Sequence, residues 1–181
     1  MYLLKMNLKK PKFWDFEKQN LISHLLTPFT IFIKINNLFI NLYPKKKFKD
    51  IKTICIGNIY IGGTGKTPTT IKLYEILKKL NFDLCTGKKY YPTQKDEQIL
   101  LEKKTNLICK KSRVDIIESA ISNKNNLIIF DDGLQDRNVK YDLNIVCFDA
   151  ENWIGNGQLI PSGPIREKLF SLKKYDIVFL K

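Results

Sequence analysis

The stretch "IGNIYIGGTGKTPTTIKLYEIL", residues 56–77, restricts the possible folds more than any other part of the chain. A short apolar run enters a knot of glycines and leaves it in a pattern of helical spacing. A strand that turns through Gly62, Gly63 and Gly65 into a helix can aim several backbone N–H groups at one anion. The helix N-terminus adds partial positive charge there. Lys66 would reach the β- and γ-phosphates of a nucleotide, and Thr67 would offer its hydroxyl to Mg²⁺. Pro68 falls in a first helical turn, where proline is tolerated. Tyr60, Ile61, Gly62, Gly63, Thr64, Gly65, Lys66 and Thr67 are thus the candidate nucleotide-binding residues. The generic pattern G-x-x-x-x-G-K-[ST] has glycine where this chain has Tyr60. A glycine-rich turn with no ligand is the plain alternative.

The rest of the chain alternates. Residues 51–57, 82–86, 106–109, 126–130, 143–148 and 175–180 read as strands. Residues 68–80, 95–104 and 112–122 read as helices, the first with Leu73, Ile76, Leu77 and Leu80 on one face. The runs "NLIIF" and "LNIVCF" are continuously apolar, as in strands buried on both faces. This alternation predicts an α/β fold, a mostly parallel sheet with helices on both faces. "LIIFDD" (127–132) ends such a strand in Asp131 and Asp132. Ligands of open α/β sheets bind beyond the carboxyl ends of strands. An acid there can hold Mg²⁺ against phosphates, although a turn or capping aspartate is common. Loop and acid together point to ATP- or GTP-dependent phosphate chemistry.

The N-terminal part differs. "LISHLLTPFTIFIKINNLFINLY" (21–43) is rich in Leu, Ile and Phe but is interrupted by His24, Lys34, Asn36, Asn37 and Asn41. A spanning helix needs about 20 mostly apolar residues, and this segment is too polar. Pro28 interrupts helical hydrogen bonding unless it occupies a first turn. After it, Phe32, Ile35, Phe39 and Leu42 recur at helical spacing, and "PKKKFK" follows; Lys9, Lys10 and Lys12 precede the segment. An apolar face flanked by lysines suits a helix lying in a membrane interface. A helix packed on the domain is the other reading. The net charge of +13, from 31 Lys+Arg against 18 Asp+Glu, favours anionic partners without choosing among them. Cys55, Cys85, Cys109 and Cys147 are widely spaced beside a single histidine, which argues against zinc. Cys55 and Cys147 read as buried, reduced thiols.

Three stretches carry a resemblance. "IGNIYIGGTGKTP" (56–68), "FDDGLQDR" (130–137) and "GNGQLIPSGPIREKLFSLKKYDIVFLK" (155–181) resemble the tetraacyldisaccharide 4'-kinase family of lipid A biosynthesis. That family's loop is itself a GN-x-x-x-GGTGKTP variant, without glycine at the Tyr60 position. The resemblance implies a P-loop kinase core over 50–181, preceded by a membrane-associating segment over 1–49. It implies transfer of the γ-phosphate of ATP, with Mg²⁺, to the 4'-hydroxyl of tetraacyldisaccharide 1-phosphate, giving lipid IVA. The protein would be a monomer on the cytoplasmic face of the bacterial inner membrane. Its partners would be the lipid substrate and the anionic membrane surface, with no nucleic acid. In "KDEQ" the resemblance implies Asp96 as general base, with Glu97 beside it as a metal ligand. Thr67, Asp131 and Asp132 complete the implied metal set, and Arg166 is implied near the transferred phosphate.

There are departures. Asp136 stands where the family has histidine, and "TGKKYY" (86–91) replaces a Ser-Arg-Gly-Tyr run. The family continues into a second, smaller domain that supplies a histidine to the catalytic aspartate; the only histidine here is His24. The chain thus reads as the N-terminal core of a longer kinase, expected to bind nucleotide weakly and to transfer phosphate slowly or not at all alone. A P-loop NTPase switching a partner is the alternative, but it lacks an N-K-x-D guanine motif and leaves "NGQLIPSGPIRE" unexplained. A basic nucleic-acid-binding protein is a third reading, without a recognisable motif.

Overall fold

A computed structural model describes residues 10–92, 94–151 and 153–181, without the side chains of 40 and 41. Lys9 and the side chain of Asn41 therefore lie outside the described residues. Helix α1 (Leu21–Leu26) and helix α2 (Thr30–Leu42) come first. Strand β1 (Lys52–Gly57), helix α3 (Lys66–Lys79) and strand β2 (Leu84–Lys89) follow. Helix α4 (Lys95–Lys104), strand β3 (Leu107–Lys110), helix α5 (Arg113–Ser122) and strand β4 (Leu127–Asp131) continue the alternation, and strands β5 (Leu143–Phe148) and β6 (Ile177–Leu180) end it.

The six strands form one sheet in the order β3-β2-β4-β1-β5-β6, every neighbouring pair parallel. Alternation along each strand splits the core in two. Cys55, Cys85, Ile128, Phe130, Val146 and Phe148 point to one face, where Ile116, Ile117 and Ala120 of α5 cover them. Ile56, Leu84, Leu127, Ile129, Ile145 and Cys147 point to the other, against Leu73 and Leu77 of α3. Helices on both faces explain the unbroken apolar runs. Ile76 and Leu80, expected on the same helical face, are instead largely exposed. Cys55 and Cys147 are buried free thiols, as expected, and so is Cys85.

Strand β2 runs three residues beyond the expected end at Thr86, through Gly87, Lys88 and Lys89. Lysines are uncommon in a strand covered on both faces. They are accommodated because Lys88 has buried carboxylate company, described below.

Pro28 lies in a 3₁₀ turn, Thr27–Phe29, that joins α1 to α2. The two helices face the domain with their polar side. Ser23 Oγ donates to Ser162 O (2.7 Å), Ser162 Oγ donates to Ser23 O (2.6 Å), and Asn156 Nδ2 reaches both residues. Asn37 Nδ2 donates to Arg166 O at 2.8 Å. The apolar side faces outward: Leu25 is 75% exposed, Phe32 67% and Leu42 68%, with Ile35 and Phe39 also exposed. The helices are thus packed on the domain, as the second reading has it, but through their polar rather than their apolar side. Among the described residues no helix is long and apolar enough to cross a membrane.

The centre of the sheet is pinned at its lower edge by Asp142. Its carboxylate accepts from Thr53 N (2.9 Å) and Thr53 Oγ1 (3.0 Å), with Lys47 Nζ at 3.3 Å. Partial burial alone would raise this carboxyl, but the Thr53 hydrogen bonds and Lys47 outweigh it and hold the pKa below the ordinary range. A depressed folded-state pKa contributes stability that is present above the unfolded value of about 3.9 and lost as pH falls through the folded one. Asp142→Asn is expected to cost about 1 kcal/mol in urea denaturation at pH 7. The gap to the parent should narrow as pH falls below about 4.

Candidate active site

Strand β1 delivers the loop at the carboxyl edge of the sheet. Asn58, fully buried, donates from Nδ2 to Tyr60 O (2.6 Å) and holds the turn. Gly65 adopts φ 75°, a left-handed conformation that admits glycine, and caps α3. A Cβ placed on Gly63 would meet nothing within 4 Å, so open space lies over the loop. Thr64 Oγ1 and Asn58 Oδ1 are buried without hydrogen-bond partners. The first N–H groups of α3 have no intrahelical acceptors. Open space, the unpaired Thr64 hydroxyl and a helix start fit a phosphate group.

A cleft of about 410 Å³ lies over this loop. Residues 62–68 line it together with Asp96, Glu97 and Leu100 of α4, and Lys181. The structure thus brings Lys66, Thr67, Asp96 and Glu97 around one space. Tyr60 and Ile61 are engaged elsewhere. The Tyr60 phenol donates to Asp15 Oδ1 (2.7 Å) and accepts from Lys10 Nζ (2.7 Å), while Ile61 N–H donates to Pro164 O (2.9 Å). Of the eight expected residues, 62–67 line the cleft, whereas Tyr60 and Ile61 do not.

Beneath the loop lies Asp131, 1% exposed, at the end of β4. Its Oδ2 accepts from Thr67 Oγ1 (3.1 Å) and Lys88 Nζ (2.6 Å), and its Oδ1 from Thr70 Oγ1 (3.4 Å). Lys88 Nζ also donates to Glu97 Oε2 at 2.7 Å. The register pairs Gly87 with Phe130, which sets Lys88 beside Asp131. Burial alone would lower the Lys88 pKa, but Asp131 and Glu97 outweigh it and raise it, so the ammonium stays charged. Sequence reasoning missed Lys88. The available signal was its inward position in the strand, two residues after Thr86, alongside a strand ending in an acid.

Asp131 and Asp132 diverge. Adjacent strand residues point to opposite sides, and Asp132, at φ 64°, turns away from the loop. Its Oδ1 lies 4.0 Å from Arg166 Nη1, and its carbonyl oxygen accepts from Arg113 Nη2. Asp132 and Arg166 line a second cleft of about 340 Å³ with Lys89, Tyr91, Arg113 and Arg137. The expected metal pair is thus separated: Asp131 reaches Thr67 and Asp132 faces the second, basic cleft. Arg166 stands there too, held by Gln135 Oε1 (3.3 Å). Asp136, at the position of the expected histidine, pairs with Arg113 at 2.9 Å.

Among the described residues no three His, Cys, Asp or Glu side chains converge to hold a metal by themselves. The oxygen donors Thr67, Asp131 and Glu97 nonetheless fit Mg²⁺, which takes one or two carboxylates and fills its remaining positions with phosphates and water. Removing the charge at Asp131 would leave Lys88 buried with only the half-exposed Glu97. Asp131→Asn is expected to cost about 3 kcal/mol or more in chemical denaturation. A loss under about 0.5 kcal/mol, the usual range for surface changes, would show that the pair does not carry the site.

Comparison with known proteins now gives the family. A family model described as tetraacyldisaccharide-1-P 4'-kinase matches residues 22–86 and 91–181. The tetraacyldisaccharide 4'-kinase of Pelagibacter ubique (strain HTCC1062) is 53% identical over 97% of this chain and 55% of its own length. That of Rickettsia bellii (strain OSU 85-389) is 32% identical, over 97% of this chain and 59% of its own length. A crystal structure of LpxK from Aquifex aeolicus in complex with ATP superposes with a TM-score of 0.76 at 25% identity, over 89% of this chain and 59% of that one. The chain therefore spans a little over half the length of these relatives. The family model and the relatives agree with the resemblance drawn from the three sequence stretches. The chain belongs to the tetraacyldisaccharide-1-P 4'-kinase family.

Proposed function

We propose that this protein is an ATP-dependent kinase that phosphorylates the 4'-hydroxyl of tetraacyldisaccharide 1-phosphate, giving lipid IVA. The observation that carries the reading is the single cleft in which Lys66 and Thr67 of the loop face Asp96 and Glu97 of α4. Bound ATP with Mg²⁺ would supply an activated γ-phosphoryl group at that place. Residues 62–67 would cradle the phosphates through backbone N–H groups, and Lys66 would neutralise charge on the β- and γ-oxygens. Thr67, with Asp131 and Glu97, would hold the metal. Asp96 would accept the proton of the attacking hydroxyl as its oxygen bonds to phosphorus and the bond to the leaving ADP oxygen breaks. Asp132 and Arg166, in the adjoining cleft, would orient the acceptor and offset charge on the transferred group.

The same reading places the protein on the cytoplasmic face of the bacterial inner membrane, as a peripheral or monotopic monomer. Its support is the inverted arrangement of α1 and α2, whose Ser23 and Asn37 side chains bond to the domain while Leu25, Phe32, Phe39 and Leu42 face outward. Lys46 and Lys47 follow, both exposed. A helix pair of this kind would sink its apolar side among acyl chains and set its lysines against anionic headgroups.

Two experiments test this. In detergent micelles with γ-labelled ATP, Mg²⁺ and tetraacyldisaccharide 1-phosphate, this chain, a little over half the length of its relatives, should label the lipid slowly or not at all alone, and any label should vanish in Lys66→Ala. Label that persists in Lys66→Ala would contradict the assigned loop. On vesicles containing phosphatidylglycerol, the double variant Phe32→Glu/Phe39→Glu should lose about tenfold or more in association, since each phenyl ring contributes about 1.5–3 kcal/mol when buried. Protection from thermal unfolding by ATP should be unchanged. Undiminished vesicle binding would refute the membrane assignment.

A further inference from the structure

Lys88 has no part in the reading above, yet its ammonium lies where the metal ligands meet. It is 1% exposed, and its stem leaves β2 inside the fold. Nζ is 2.6 Å from Asp131 Oδ2 and 2.7 Å from Glu97 Oε2. The same Asp131 Oδ2 accepts from Thr67 Oγ1 at 3.1 Å. Two of the three groups that would take a divalent cation therefore already hold a cation that the chain supplies, and the third bonds to the same Asp131 oxygen. Lys88 falls in the interval between the two stretches matched by the family, residues 87–90.

We propose that Lys88 is a tethered cation that holds the space between Asp131 and Glu97 against free divalent metal, so that Mg²⁺ enters only together with nucleotide phosphate. The proposal rests on the reading of the cleft as a site for ATP and Mg²⁺.

Three arguments lead to it. The first is occupancy. Asp131 Oδ2 already accepts two hydrogen bonds and Oδ1 a third, from Thr70. A carboxylate has about four lone-pair sites, and few remain for a bare ion. Mg²⁺ needs its oxygens at about 2.0–2.1 Å in near-octahedral order. A cation bridging Asp131 and Glu97 would have to take the place of Nζ.

The second is charge. Ammonium and Mg²⁺ repel each other, and at a buried position water screens them little. Without nucleotide, the two carboxylates carry one negative charge beyond the ammonium, which is poor recompense for stripping water from a divalent ion. A polyphosphate changes this balance by bringing several negative oxygens to the open side of the cleft. Thr67, Asp131 and Glu97 could then hold the metal through the lone pairs that Lys88 leaves open, with phosphate supplying further oxygens and Lys88 unmoved. The third is rigidity. An enclosed lysine on an interior strand cannot swing aside as an exposed one can.

The test uses the full chain without nucleotide. Free Mn²⁺ is titrated by electron paramagnetic resonance into the wild type and Lys88→Met. Lys88→Met should bind Mn²⁺ about tenfold or more tightly than wild type. Millimolar Mg²⁺ alone should raise the melting temperature of Lys88→Met by several degrees and leave that of wild type in place, because the ion substitutes for the lost ammonium. If Lys88→Met does not fold in metal-free buffer, recovery of the fold on adding Mg²⁺ supports the proposal. Failure to recover, with Lys88→Gln folded and no better than wild type for Mn²⁺, overturns it. Equal Mn²⁺ affinity in wild type and Lys88→Met overturns it too. ATP with Mg²⁺ is added in a separate arm. If it protects neither protein, the nucleotide reading fails, whereas protection of both without a gain in free-metal binding removes only the role of Lys88.

Discussion

A buried carboxylate at the end of a central strand must find donors, and Asp131 finds three of them on two different elements. Lys88 comes from β2, and Thr67 and Thr70 come from the first turns of α3. Through Lys88 the contact extends to Glu97 and so to α4. An unpaired charge there would be strongly unfavourable, so helix, loop and strands are obliged to meet at one point. The position of the phosphate loop relative to Asp96 follows from this constraint. The open cleft above it is the space that these mutually bonded elements leave.

The second organising constraint lies on the far side of the loop. Tyr60 is bound to Lys10 and Asp15, Ile61 to Pro164, and Arg166 N–H to Ile59 O. The segment around Ser162 that fixes the loop from this side also holds α1 through Ser23. One polar network therefore connects the outward-facing apolar helices to the loop and to the basic cleft of Arg113 and Arg166. A lipid held at the apolar helices and a phosphate held at the loop would be handled by adjoining parts of one framework, as transfer between a water-soluble donor and a membrane-bound acceptor requires.

Much of this was legible in the residues, and the exceptions have physical causes. The strands of the sheet centre were readable because burial on both faces imposes continuous apolar runs, as in "NLIIF" and "LNIVCF". The loop was readable because few other arrangements need glycines, lysine and threonine in that order. The end of β2 was not, because Lys88 counts as a solvent residue until the neighbouring strand is known to end in Asp131. The divergence of Asp131 and Asp132 was likewise hidden, since it depends on alternation and on the left-handed turn at Asp132. The partners of Tyr60 and Ile61 were not legible, because spacing alone cannot tell which groups another segment will occupy. The inward polar face of α1 and α2 was hidden for a similar reason: Ser23 and Asn37 become inward residues only once Ser162 and Arg166 supply partners.

The most direct test of the account is a crystal structure of the chain with Mg²⁺ and a non-hydrolysable ATP analogue. The account predicts the β- and γ-phosphates over residues 62–67, within hydrogen-bond distance of Lys66 Nζ, with Lys88 still bonded to Asp131. Phosphates lodged instead against Arg113 and Arg166 in the second cleft, with nothing over the glycine loop, would contradict it.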